Sequence, residues 1–162
     1  MAVEPEHEVL LYVEDQKSVQ GPMVDMLRKA GFDLLVADNG VQALKCIADE
    51  KGHIDCVLTH VRLGRGPTGW NVARRARLRT STMPVVYTSS SSKAEWMVYG
   101  VPLSELVTKP FRPSQVIQAL SSVTHRASAA IPHALRRQSS PAAAVNLTIA
   151  NVGIVPVPKA VV

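Results

Sequence analysis

Five polar residues in this chain have side chains able to do chemistry, and each stands at the carboxyl end of a short apolar run. Glu14 and Asp15 follow Val9–Val13, His60 follows Asp55-Cys-Val-Leu-Thr, Ser89 follows Val85–Thr88, and Lys109, ahead of Pro110, follows Leu106–Thr108. Two carboxylates and an imidazole make a mixed oxygen–nitrogen donor set, which suits manganese or zinc better than magnesium. Carboxylates beside the ring favour imidazolium, whereas Lys109 and burial oppose it. With two negative charges against one positive, the His60 pKa is expected above its ordinary value of about 6.5. The run before His60 reads as a buried strand that presents the imidazole to solvent at its end.

The elements that must position these residues alternate β-branched runs with helical periodicity, the pattern of a parallel sheet covered on both faces. Val9–Val13 is a continuous apolar strand, after which Val19, Met23, Met26, Leu27 and Ala30 recur at helical spacing and Gly31 closes the helix. Leu34–Ala37 is a second strand, followed by a stripe of Val41, Leu44, Ile47 and Ala48. Ile54–Thr59 is the third strand, and a glycine-rich loop from Gly64 to Gly69 leads into a helix that turns Val72, Ala73 and Ala76 inward. Pro84 opens the fourth strand, Lys93–Tyr99 is a short helix, and Leu106–Thr108 is the fifth strand. Pro113 then starts a helix with Val116, Ile117, Leu120 and Val123 on one face. Five such βα units predict an α/β, doubly wound, flavodoxin-like (βα)5 fold, in which ligands bind at the carboxyl ends of the strands.

Together the motifs resemble the receiver domain of bacterial two-component response regulators, of the stand-alone, chemotaxis-regulator-like type. The resemblance rests on Tyr12-Val13-Glu14-Asp15, on Ser89 five residues beyond Pro84, on Lys109-Pro110-Phe111, and on Arg62-Leu-Gly-Arg-Gly with Gly69-Trp70. It covers roughly Glu8 to Val123 and implies a five-stranded parallel sheet in the order 2-1-3-4-5. It also implies that Glu14 and Asp15 hold Mg2+, an oxygen-seeking cation, with Arg62 adding only its backbone carbonyl. Ser89 would be the switch hydroxyl, and Lys109 the cation that neutralises charge developing on the phosphoryl oxygens. His60 would occupy the phosphoacceptor position, where the family carries aspartate.

An imidazole cannot form an acyl phosphate, and it removes an anionic oxygen ligand, so magnesium binding is expected to be weakened or absent. With His60 neutral, the metal-free site holds two carboxylates against Lys109, one net negative charge, which protonation cancels. Leu106 stands where many receivers carry an aromatic residue, and the loop before Gly69 is one residue longer than usual. Three readings of His60 stay open: an inactivated site, a locked signalling state, and a phosphorylated or metal-binding histidine.

The resemblance implies a phosphorelay signalling protein rather than an enzyme, one that docks on a sensor histidine kinase or phosphotransfer protein and on a downstream target. The docking face would lie on the last two βα units, with Trp96, Tyr99 and the first turn of the Pro113 helix. The alternatives are a phosphotransfer-competent regulator with an altered acceptor, or a small metal-dependent phosphohydrolase. Phosphatases of the haloacid-dehalogenase type also place an aspartate and a lysine at strand ends, but Glu14-Asp15 is not their Asp-x-Asp motif.

Composition bounds these readings. With 162 residues, 46% of them hydrophobic, the chain suffices for one domain, expected over 7–125. Cys46 and Cys56 fall in apolar periodic segments and read as reduced core thiols. The acidic amino terminus lacks the basic and apolar regions of a secretory signal, and no apolar run spans a bilayer, so a cytoplasmic location is expected. The formal charge of +5 is uneven: no carboxylate side chain follows Glu105, and six arginines lie between Arg62 and Arg79. Arg74, Arg75, Arg77 and Arg79 share one helix, where a solvated face is expected, and no helix-turn-helix or zinc-finger spacing accompanies them. Residues 126–162, rich in Ala, Ser, Pro and Val, read as a disordered tail with some β-propensity over Val145–Val155, and too featureless for a DNA-binding domain. The sequon at Asn146 matches by chance.

Overall fold

Strands form where β-branched and aromatic residues run together, and here five such runs pair side by side. The computed structural model describes residues 7–49, 51–90 and 93–130. Its elements are β1 (Val9–Val13), α1 (Lys17–Lys29), β2 (Asp33–Ala37), α2 (Gly40–Ala48), β3 (Cys56–His60), α3 (Gly69–Arg79), β4 (Val85–Ser89), α4 (Lys93–Tyr99), β5 (Glu105–Thr108) and α5 (Pro113–Ala130). All five strands are parallel, in the order β2-β1-β3-β4-β5. This is the doubly wound, flavodoxin-like architecture expected from the sequence.

Side chains alternate across a strand, so the sheet divides its apolar residues between two cores. One face carries Leu11, Val13, Val57 and Tyr87 and packs against Ala43 and Ile47 of α2 and Val72, Ala73 and Ala76 of α3. The other carries Leu10, Tyr12, Leu58 and Val86 against Met23 and Leu27 of α1 and Val116, Leu120 and Val123 of α5. Cys56 is buried in this second core and Cys46 is half-buried, both as free thiols. Burial, followed by the charges of Glu8 and Asp55, pushes the Cys56 thiol well above its ordinary pKa.

Local chemistry sets the ends of the helices. Gly31, at φ +98°, takes the left-handed turn after α1, a conformation that costs a side-chain-bearing residue steric strain. The Asn39 side chain accepts from the Gln42 amide at 2.9 Å and caps α2, and Thr68 with Asn71 forms a reciprocal capping box on α3.

Arg74, Arg75 and Arg79 of α3 are exposed, as the expected solvated face requires, but several of the helix's guanidinium groups also bond to nearby carbonyls. Arg77 is half-buried and donates to the carbonyls of Met83 and Pro102, at 2.6 and 2.7 Å. Arg79 donates to the carbonyls of Ile47, Asp49 and Gly52, and Arg74 donates to that of Tyr99. A guanidinium carries five donors in a rigid fork, and here the forks close the ends of neighbouring loops.

Helix α5 continues to Ala130, past the domain boundary expected at residue 125. The remainder of the expected tail, residues 131–162, lies outside the described residues, as do the sequon and the Val145–Val155 stretch. Among the described residues, no helix is long and apolar enough to cross a membrane.

Candidate phosphoacceptor-type site

Register brings the chemically able residues into one row. Val13 pairs with Thr59 and Ala37, His60 with Thr88, and Ser89 with Thr108. The ladder then extends one residue beyond each strand. The Glu14 amide donates to Ala37 at 3.1 Å, the Val61 amide to Thr88 at 3.0 Å and the Lys109 amide to Ser89 at 2.8 Å. Backbone pairing, rather than side-chain contact, therefore aligns Glu14, His60, Ser89 and Lys109.

A carboxylate oxygen from each of Glu14 and Asp15 and a ring nitrogen of His60 lie within 4.8 Å of one another. Glu14 is only 1% exposed. Its Oε2 accepts from Lys109 Nζ at 3.3 Å and its Oε1 from the Gln16 amide at 3.1 Å. An ion pair this deep has lost most of its hydration, so removing either member would leave the other uncompensated. Asp15 Oδ1, His60 Nδ1 and Thr88 Oγ1 are buried and lack hydrogen-bond partners. Ser89 is buried at the end of β4. Arg62 sends its guanidinium away to Glu95 of α4, at 3.2 Å, so a contribution of its carbonyl to the site is left to the backbone alone.

His60 departs from expectation in two linked ways. It is the last residue of β3 rather than the residue after it, and it is 5% exposed, hence enclosed rather than presented to solvent. The strand is shifted because Asp55 ends the preceding loop: its amide donates to Val9 and its Oδ2 accepts from the Val9 amide, each at 2.8 Å. Burial then reverses the expected protonation. Desolvation of the imidazolium outweighs the pull of Glu14 and Asp15, Lys109 acts with it, and the His60 pKa falls below its ordinary value.

A pH dependence follows from this sign. The unfolded chain takes up the His60 proton at about pH 6.5, whereas the folded chain resists it. The stability associated with the neutral ring is therefore fully present above that value and is lost as pH falls through the lower folded value. We expect the His60 ring resonances to titrate below the ordinary histidine value of about 6.5. Unfolding by urea should show a larger acid loss in the native chain than in His60→Gln. A His60 midpoint above that ordinary value would reverse the sign.

Sequence reasoning missed Gln20. It is buried in α1, and its Nε2 donates to the Glu14 carbonyl at 2.9 Å and to Asp38 Oδ1 at 2.8 Å. Lys17 also pairs with Asp38. The Gln20 hydrogen bond first, and Lys17 after it, hold the Asp38 carboxyl below its usual range. The signal was available: Gln20, Met23 and Leu27 are spaced as one inward helical face, on which an amide is out of place.

The donor set fits magnesium poorly. Magnesium prefers oxygen ligands near octahedral geometry, and here one of the three side-chain positions offers nitrogen.

Comparison with known proteins agrees with the fold. The family described as "Response regulator receiver domain" matches residues 10–121. The sensory transduction protein RegX3 of Mycolicibacterium smegmatis is 32% identical over 119 residues, covering 72% of this chain and 50% of that protein. The alkaline phosphatase synthesis transcriptional regulatory protein PhoP of Bacillus subtilis is 26% identical, over 76% of this chain and 51% of its own length. The chain thus spans about half the length of the curated relatives it matches. A crystal structure of a response regulator receiver protein from Sinorhizobium medicae superposes with a TM-score of 0.73 at 32% identity, covering 76% of this chain and 99% of that one. A family match over most of the chain, with the sheet order and strand-end site in place, makes this protein a member of the response regulator receiver domain family.

Proposed function

We propose that this receiver domain signals by protein–protein contact and does not accept phosphate at residue 60, because His60 stands at the position of the family's acceptor aspartate. The observation that carries this reading is the enclosed imidazole at the end of β3, within 4.8 Å of the Glu14 and Asp15 ligand atoms. No acyl phosphate forms on a ring nitrogen, and the nitrogen also lowers affinity for magnesium. Ser89 and Lys109 keep the positions of switch hydroxyl and charge-neutralising amine.

The partners are a sensor histidine kinase or phosphotransfer protein and a downstream target, all in the cytoplasm. The surface offered to them lies on α4 and the loop after it, where Met97 is 80% and Val98 71% exposed, with Tyr99 and Leu103 beside them. Trp96, expected on that surface, is instead half-buried, and its indole Nε1 donates to Ser104 Oγ at 3.0 Å. The exposed apolar pair is therefore Met97–Val98 rather than Trp96–Tyr99.

Incubation with acetyl phosphate and magnesium, followed by intact-mass measurement, tests the central claim. The expected result is no mass gain. A stable gain of one phosphate, mapped to the peptide that contains His60, would overturn it.

A further inference from the structure

We propose that Glu14, Asp15 and His60 form a binding site for a borderline first-row divalent cation, zinc foremost, in preference to magnesium. The inference rests on the reading of His60 as the residue standing in place of a carboxylate, but it concerns what the altered pocket holds rather than what it has lost.

The pocket has the features of a ligand set waiting for a common centre. His60 is 95% removed from solvent, taking its 5% exposure, yet its Nδ1 makes no well-formed hydrogen bond, and the ring has only a weak contact with the Thr88 backbone. Asp15 Oδ1, beside it, is also buried and unpartnered. Buried polar atoms normally find partners, because leaving one unpaired costs about 1–3 kcal/mol. Two such atoms on neighbouring ligand residues, in a group whose ligand atoms lie within 4.8 Å of one another, point to one missing partner that both can bind.

The donor types select its chemistry. Imidazole nitrogen is a good ligand for zinc, copper, nickel and iron, whereas carboxylate alone leaves magnesium and manganese competitive. Two carboxylates and one imidazole also match the usual number of protein ligands at an open zinc site, which leaves the fourth position for water or another ligand. Ligand atoms sharing a zinc ion at 2.0–2.2 Å stand about 3.3 Å apart, so the group would contract by at most about 1.5 Å. Side-chain rotation can supply that much.

The surroundings support the ligands. The Gln16 amide holds Glu14 Oε1 at 3.1 Å, and Gln20 holds the Glu14 carbonyl at 2.9 Å. Such outer contacts orient metal ligands and are costly to remove. Lys109 Nζ, 3.3 Å from Glu14 Oε2, is the competitor, and a bound dication must displace it or share the carboxylate with it. The result is a site of moderate affinity whose discrimination comes from the nitrogen.

The test is calorimetric titration of the full chain with zinc, manganese and magnesium salts in turn, repeated with His60→Gln and His60→Asp. For the native chain, zinc is expected to bind at least a hundredfold more tightly than magnesium, with manganese between. His60→Gln should lose at least tenfold in zinc affinity, and His60→Asp should bring zinc and magnesium closer together. A readout independent of any variant comes from cobalt(II) as a zinc substitute. It should give visible absorption bands and broaden the His60 ring resonances ahead of those of the other four histidines, His7, His53, His125 and His133. Zinc affinity unchanged in folded His60→Gln, or cobalt broadening that spares His60, would place the metal elsewhere and overturn the proposal. Equal affinities for zinc and magnesium in the native chain would do the same. Phosphate uptake is measured separately by mass, so a failure of the proposed function and a failure of this site are told apart.

Discussion

If the proposed function holds, replacing His60 with aspartate should give a chain that gains a single phosphoryl group from acetyl phosphate in the presence of magnesium, where the native chain gains none. Aspartate is smaller than histidine, so it enters the enclosed slot at the end of β3 without displacing Thr88 or Val61. It adds a third carboxylate beside Glu14 and Asp15 and makes the donor set oxygen-only, as magnesium requires. The new carboxylate oxygen is also the nucleophile: it bonds to phosphorus as the bond to acetate breaks. Lys109 already stands 3.3 Å from Glu14, able to neutralise charge on the phosphoryl oxygens. Loss of a single nucleophile can cost an enzyme about a millionfold, so the gain here should be at least about a thousandfold in initial rate. Intact mass with and without a chelator, followed by peptide mapping to residue 60, reads the result. A folded His60→Asp chain that stays unmodified would move the block to Leu106 or to the lengthened loop before Gly69.

Gly69→Ala should be the most damaging small substitution near the site. A Cβ at Gly69 would lie 2.3 Å from the His60 carbonyl oxygen and 3.0 Å from the Val61 Cα. Those are backbone atoms of a central strand, so no side chain can rotate to relieve the clash. The Gly69 amide also donates to the Val61 carbonyl at 2.8 Å, which locks the first turn of α3 under the end of β3. Either that bond breaks or His60 shifts. Overpacking of this kind costs about 3 kcal/mol or more. Gly21, exposed in α1 with nothing within 4 Å of its would-be Cβ, is the control. Alanine there should change stability by less than about 1 kcal/mol, because the gain in helix propensity is offset by contact of the new Cβ with the Pro22 ring that follows. Urea unfolding at one temperature gives both values. If the two alanines cost a similar amount, the close approach at Gly69 is not the constraint described.

The fold was legible because a parallel sheet leaves a plain trace. Val-Leu-Leu-Tyr-Val and Val-Val-Tyr-Thr are too apolar to be anything but buried, and Gly31 and Pro113 mark helix ends by their backbone chemistry. The row of Glu14, His60, Ser89 and Lys109 was legible for the same reason, since strand ends in such a sheet share one edge. Depth was not legible. Periodicity shows which residues face inward but not how far the neighbouring strands extend, so His60 was expected at the surface and its proton affinity received the wrong sign. The loop-closing bonds of the α3 arginines were not foreseen because their acceptors are carbonyls at Ile47, Met83 and Pro102, which have no side-chain signature. Trp96 was misplaced for a similar reason: its partner, Ser104, follows a loop whose path the sequence does not encode locally.

The aromatic residues around α4 have an optical consequence. The chain contains two tryptophans, and both belong to this corner of the fold. Trp70 packs tilted against the buried Tyr87, with ring centroids 4.5 Å apart, and stands 6.2 Å from Tyr99, while Trp96 is part of α4 itself. Light absorbed by the neighbouring tyrosines passes to the indoles, so emission from the whole protein originates beside the surface proposed for docking. The Tyr87 hydroxyl accepts from the Val101 amide at 3.2 Å, tying β4, two residues before Ser89, to the loop after α4. Any partner that settles on α4, or any change that moves the end of β4, therefore acts on both fluorophores at once. Events in this corner can be followed in the unlabelled chain by the colour and yield of its own fluorescence.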